Sequence, residues 1–191
     1  MKHFLLIALL CLSANAATIT SNTAGTSNGI GAFGQSFTTP NDGPWMNIRF
    51  NFFNLAQDSV ASGTLFLLTS EYLGKPSDLG AATPGALAAT STIINSQWSF
   101  TGIMLNPNTQ YFAYTVSEIT IAGSLTNTYA GGALYASNAN ANFLSVGGGN
   151  RDLNFQVLGD ALNPPPTGVP EPSTCIATAV GLALLAVHRK R

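Results

Sequence analysis

Through the middle of the chain, apolar and polar residues alternate in short runs, and clusters of Gly, Pro and Asn close each run. A two-residue period marks a strand with one face toward a core and the other toward water, because successive side chains of a strand point to opposite sides. The pattern predicts strands over residues 32–38, 46–53, 63–69, 88–94, 97–100, 110–116, 129–136, 141–146 and 154–158. Within 46–53, Ile48, Phe50 and Phe52 fall on one face and Asn47, Arg49 and Asn51 on the other. Asn154-Phe155-Gln156-Val157 repeats the alternation near the end of this region. Between runs, Pro40-Asn41-Asp42-Gly43-Pro44 and Leu105-Asn106-Pro107-Asn108 carry turn chemistry: Gly tolerates positive φ, Pro fixes φ, and Asn bonds its own backbone. Short strands at this spacing predict an all-β fold, an antiparallel β-sandwich of jelly-roll type.

Composition narrows the function. Only 8% of the 191 residues are charged, against about 25% in an ordinary globular domain, so solubility rests on Ser, Thr, Asn and Gly. The formal net charge of −1 supplies no basic field for a phosphate backbone, which argues against a nucleic-acid partner. The length suits one domain with a real core.

Both ends carry a different pattern. Lys2, an apolar run over residues 4–12 and the small-x-small motif Ala14-Asn15-Ala16 predict a signal peptide over residues 1–16, cut before Ala17. Cys11 does not make this a lipoprotein signal, since Leu10 stands where a small residue is needed. Toward the other end, Asn163-Pro164-Pro165-Pro166-Thr167-Gly168 favours extended polyproline geometry and opens a spacer over 163–169. Pro170-Glu171-Pro172-Ser173, an apolar stretch over 174–187 expected as a short helix, and the basic tail His188-Arg189-Lys190-Arg191 follow in order. The terminal positive charges predict that the tail stays inside and the domain outside the inner membrane. About 14 apolar residues fall short of the roughly 20 of a comfortable span, so the stretch reads as a temporary membrane anchor.

This three-part tail resembles a PEP-CTERM sorting signal, with Pro170, Glu171, Pro172 and Ser173 at the motif and Arg189, Lys190 and Arg191 at the basic end. The resemblance implies that an exosortase-type enzyme cuts near the motif and releases the protein to the cell surface or extracellular matrix, usually alongside exopolysaccharide. The expected organisation is then a signal peptide (1–16), a β-sandwich domain (17–162), a Pro-rich spacer (163–169) and the sorting signal (170–191).

Between the labels, residues 17–169 hold three basic residues (Arg49, Lys75, Arg151) against seven acidic ones, and both cysteines and both histidines lie outside this stretch. A disulfide, a thiol nucleophile, a Ser-His-Asp triad and a His or Cys metal site are therefore excluded there, and no cofactor or metal is expected. Gln35-Ser36-Phe37-Thr38, Gly74-Lys75-Pro76, Trp98-Ser99-Phe100-Thr101-Gly102 and Leu105-Asn106-Pro107-Asn108-Thr109-Gln110-Tyr111 together resemble the choice-of-anchor R family of exported bacterial β domains. That resemblance covers roughly residues 32–116 and implies a surface-displayed sandwich without catalytic residues.

Four further readings compete. Sandwiches bind sugars through exposed aromatic faces, which makes Trp45 and Tyr72 candidate carbohydrate contacts, each weighed against a role as anchor of its own loop; Trp98 is expected inside. Catalysis of glycosidase type needs two carboxyls a few ångströms apart, and Glu71 and Glu118 are the only glutamates of the stretch. Asp42, Asp78 and Asp152 are conceivable calcium ligands, but no Asp-x-Asp-x-Asp-Gly loop is present. Few charges and many glycines also allow assembly through strand edges, with residues 133–149 as a candidate flexible or self-associating segment and an ordinary hairpin as the alternative. The expectation is a non-enzymatic structural or adhesive protein, exported, briefly membrane-anchored and then extracellular, with carbohydrate binding as the alternative.

Overall fold

The structure, a computed structural model, describes residues 16–138 and 141–162. Ala14, the spacer, the sorting motif, the expected apolar helix over 174–187 and the basic tail lie outside the described residues, as does most of the signal peptide. Within them the chain is all-β, and no helix is long and apolar enough to cross a membrane. The strands are β1 (Ala17–Asn22), β2 (Ser27–Thr38), β3 (Trp45–Phe53), β4 (Ser59–Val60), β5 (Leu65–Leu68), β6 (Ala86–Thr90), β7 (Ile93–Ile94), β8 (Gln97–Ser99), β9 (Gln110–Thr115), β10 (Ile119–Gly123), β11 (Leu134–Ser137), β12 (Leu144–Ser145) and β13 (Phe155–Ala161).

They form two antiparallel sheets. One has the order β1-β13-β3-β8-β7 with β4 also on β3; the other has β12-β11-β2-β9-β5-β6 with β10 along the first half of β2. The first strand pairs with the last, and β13 in turn lies beside β3, while β2 lies between β9 and the pair β10 and β11. Most of the fold is therefore held by contacts far apart in sequence.

The aromatic face foreseen in β3 supplies the core. Phe37 of β2 lies 5.9 Å from Phe50 of β3 and 6.4 Å from Phe155 of β13, ring centre to ring centre, so the two sheets face each other across shared aromatic packing. Phe52 meets Trp98 edge-on at 6.0 Å. The buried Trp98 ring still satisfies its one donor, with Nε1 bonding the Gly63 carbonyl at 3.0 Å.

A second apolar cluster covers the opposite face of the second sheet. Tyr111 and Ala113 of β9 point into the main core, whereas Phe112 and Tyr114 join Leu68, Leu79, Tyr135 and Phe143 on the other side. This sheet is therefore buried on both faces, which is why β9 reads as a nearly unbroken apolar run. Gly34 lies directly beneath the Tyr114 ring, leaving no room for a Cβ.

Several boundaries differ from the sequence pattern. The expected strand over 88–94 is two strands in different sheets, because the chain turns at Ser91 and Thr92 from β6 into β7. The strands expected over 129–136 and 141–146 shorten to β11 and β12, and residues 146–149 form a turn in which Gly147, Gly148 and Gly149 all have positive φ, a conformation that favours glycine. β1, β4 and β10 went unforeseen. β1 turns only Ile19 and Asn22 inward, so no alternating apolar series marks it.

Removing the shared ring tests the common core. Phe155→Ala is expected to cost about 3–5 kcal/mol, read as a lowered denaturation midpoint with the slope unchanged.

Candidate functional site

The two aromatics offered as sugar contacts have different fates. Trp45 is corrected: it opens β3 with only 2% of its surface exposed. Its backbone exchanges two hydrogen bonds with Leu105, at 3.0 and 2.9 Å, which draws the 105 loop over the ring. An enclosed ring has no face for a ligand. Tyr72 is half-buried; its hydroxyl donates to the Lys75 carbonyl at 2.9 Å and its ring meets Tyr114 and Phe143 edge-on. It anchors its own loop over the second cluster. Among the described residues, the large apolar side chains that stand exposed are Ile, Leu and Met, without an aromatic ring.

The acids are not brought together. Glu71 follows β5, whose Leu68 pairs with Phe112 in the first half of β9, whereas Glu118 lies beyond the other end of β9. Glu118 borders a hollow of about 350 Å³ with Ser59, Ser62 and Thr120, and no second carboxyl lines it. Acid-base work on a glycosidic bond needs a partner that this hollow lacks.

Asp152 belongs to a buried polar joint that periodicity does not reveal. Its Oδ2 accepts the backbone N–H groups of Thr128 and Tyr129, both at 2.9 Å, and Oδ1 accepts Gln35 Nε2 at 3.2 Å. Gln35 Oε1 accepts Leu153 N–H at 2.8 Å. Beside them, Asn22 Nδ2 donates to Thr128 Oγ1 and the Leu153 carbonyl, and Asn154 exchanges two bonds with the Gly25 backbone. The carboxylate offered as a calcium ligand is thus engaged by N–H donors. Asp42, Asp78 and Asp152 stand on separate loops, and among the described residues no group of three His, Cys, Asp or Glu is placed to hold a metal.

Tyrosines of the second cluster carry the clearest electrostatic effect. Burial, aided by the nearby Glu71 carboxylate, pushes the Tyr135 hydroxyl up to about 12. Burial likewise raises Tyr114 far above the ordinary range, and burial together with Asp78 raises Tyr72. Such hydroxyls stay neutral at any physiological pH and act as packing groups.

The ladder also fixes where the domain's ends lie. Ala17 at the start of β1 pairs with Gly159 near the end of β13, and Ala161 pairs with Trp45. Leu162 N–H bonds the Pro44 carbonyl at 2.9 Å. Both ends therefore emerge at one pole, here the near pole. The turns around Phe53–Ser59 and Val116–Ile119 lie at the far pole.

Comparison with protein-family models, with curated proteins and with solved structures finds no match for this chain.

Two measurements check the joint and the cluster. Asp152→Ala leaves the Thr128 and Tyr129 N–H groups without an acceptor and Gln35 Nε2 with only the Ser36 carbonyl, and is expected to cost about 3–5 kcal/mol in chemical denaturation, where Asp78→Ala on the exposed turn costs little. In alkaline titration the folded chain holds the Tyr135 proton to about pH 12, while the unfolded chain releases it near 10.0. Stability from this group is fully present below pH 10 and is lost as pH rises toward 12, so late tyrosinate absorbance should appear together with unfolding.

Proposed function

We propose that this chain is an exported, non-enzymatic surface or matrix protein whose β domain is a jelly-roll sandwich delivered by two processing signals. The carrying observation is the pairing of Ala17 with Gly159. The residue that signal peptidase would leave first is already the first residue of β1, so the cut after Ala16 falls at the fold's edge and costs it no strand. The domain's last strand ends beside that point, at Ala161. A cut near the Pro170-Glu171-Pro172 motif would likewise spare both sheets, with 163–169 as spacer.

The pairing of first strand with last, and the packing of two antiparallel sheets through shared aromatic residues, support the jelly-roll reading. The separation of Glu71 from Glu118 supports a non-enzymatic role. In this reading an exosortase-type enzyme is a transient partner, residues 174–187 hold the precursor at the membrane, and the released domain works within exopolysaccharide. The buried Trp45 gives the sugar-binding alternative no support, and Tyr72 gives it little.

Glu171→Ala in the native host tests the sorting step. The expected result is a folded domain with unchanged melting temperature that accumulates with its C-terminal segment intact. Trimmed Glu171→Ala protein in the medium would overturn the reading.

A further inference from the structure

Among the described residues, the longest stretch without a charged residue runs from 79 to 117, and it contains one outer strand of each sheet. β6 ends the second sheet, pairing only with β5, and after the turn at Ser91 and Thr92 the chain enters β7, which ends the first. Among the described residues, the backbone groups of Leu87 to Thr90 bond nothing beyond the β5 ladder. An unpaired edge of this kind presents donors and acceptors in the spacing of another strand.

The usual protections are thin here. β6 reads Ala-Leu-Ala-Ala-Thr, without the Lys or Pro that blunts natural edges. The device present is a bulge, where a register shift in the β5–β6 ladder makes Leu87 the extra residue, 39% exposed, and it leaves Ala88 to Thr90 as a regular edge; Ile93 and Ile94 are 41% and 52% exposed. The hollows on either side of β6, about 150 and 300 Å³, are lined without any charged side chain. The outer edge of β1 is better guarded: the ladder to β13 is irregular at Ile19, and Thr20 and Asn22 bond Tyr129 and Thr128 of the adjoining loop.

We infer that the β6 edge is a docking site for a second copy of this chain, the two β6 strands pairing across a twofold axis. Charge selects that occupant. A second copy brings the same uncharged corner of β6 and β7 to the seam, so this pairing sets no like charges opposite one another, although each copy carries seven acids against three bases in 17–169. The alternation of exposed Leu87 and Ala89 with half-buried Ala88 sets small residues against one large aliphatic from each copy.

Orientation follows from the symmetry. Strands paired across a twofold are antiparallel. β6 runs from the near pole at Ala86, opposite Leu68, toward the far pole at Thr90, opposite Leu65. The two near poles therefore point in opposite directions. Given the proposed function, in which the near pole carries the end cut near Pro170-Glu171-Pro172, such a pair sets the two cut ends on opposite sides, so copies held by that end would join from facing surfaces rather than as neighbours on one surface. The contact is small beside a standard interface, so it gains strength where many copies face many.

Sedimentation of the purified protein from micromolar to millimolar concentration tests the pairing. Wild type is expected to dimerise. The double variant Leu87→Lys with Ala89→Lys, both at exposed positions, should weaken the dimer about tenfold or more with melting temperature unchanged, and Ala89→Glu alone should weaken it in the same direction. Thr120→Lys, an exposed position on β10, should leave it intact. A wild type that stays monomeric, or a dimer indifferent to the β6 variants, would overturn the pairing. Beads carrying the protein through its C-terminus should clump, and clump less with the double variant; dimers in solution without clumping would overturn the facing orientation. None of these results depends on whether Glu171→Ala blocks sorting, so the two readings fail separately.

Discussion

The carboxylate of Asp152 is buried, among the described residues without a cationic partner, and much of the fold's order depends on how it is satisfied. It takes two backbone donors from the 128–129 loop and one from Gln35 in β2, while Gln35 accepts the Leu153 N–H just before β13. The second sheet, the lead into the last strand of the first sheet, and the loop beside β1 are thereby tied at one point. In a low-dielectric interior each of these bonds is strong, and each donor left without a partner is costly. A domain with no cysteine and few charges has little else with which to fix the register of strands so distant in sequence.

Around that joint the aromatic core supplies the cohesion. Phe37, Phe50, Phe52, Phe155 and Trp98 meet at 4.8 to 6.4 Å, the range in which tilted and edge-on rings attract beyond simple burial. Tyr114 and Tyr135 repeat this on the outer face of the second sheet, beneath the 70–83 loop and Phe143. The result is a sheet wrapped on both sides, with its large rings turned away from water. Surface chemistry is left largely to hydroxyls, amides and a few charged and aliphatic residues.

Periodicity revealed the strands that bury alternate apolar residues, and Ile48, Phe50 and Phe52 lie as their spacing required. It could not reveal β1, which places one aliphatic residue inward and depends on pairing with β13, more than a hundred residues away. Residue type misled at Trp45, because turn residues before it made a loop-borne ring the natural reading, whereas the ladder to Leu105 folds that loop over it. Asp152 was legible only as an isolated acid. The donors that give it a role arrive from β2 and from 24 residues upstream, and no local pattern records them. Addressing signals are the opposite case: they are read as linear strings by other enzymes, so sequence is their whole content.

The same topology would give the proposed export and display a geometry. Both ends of the domain leave at the near pole, so trimming at either end spares the core, and the β6 corner lies along the side of the molecule. The most direct measurement is the intact mass, with both termini sequenced, of the protein recovered from its native host's envelope and medium. A chain beginning at Ala17 and ending near Pro170 is the predicted result, with any excess mass identifying what was joined at the cut. A chain that keeps residues 174–191 would contradict release and make the protein a membrane-held one.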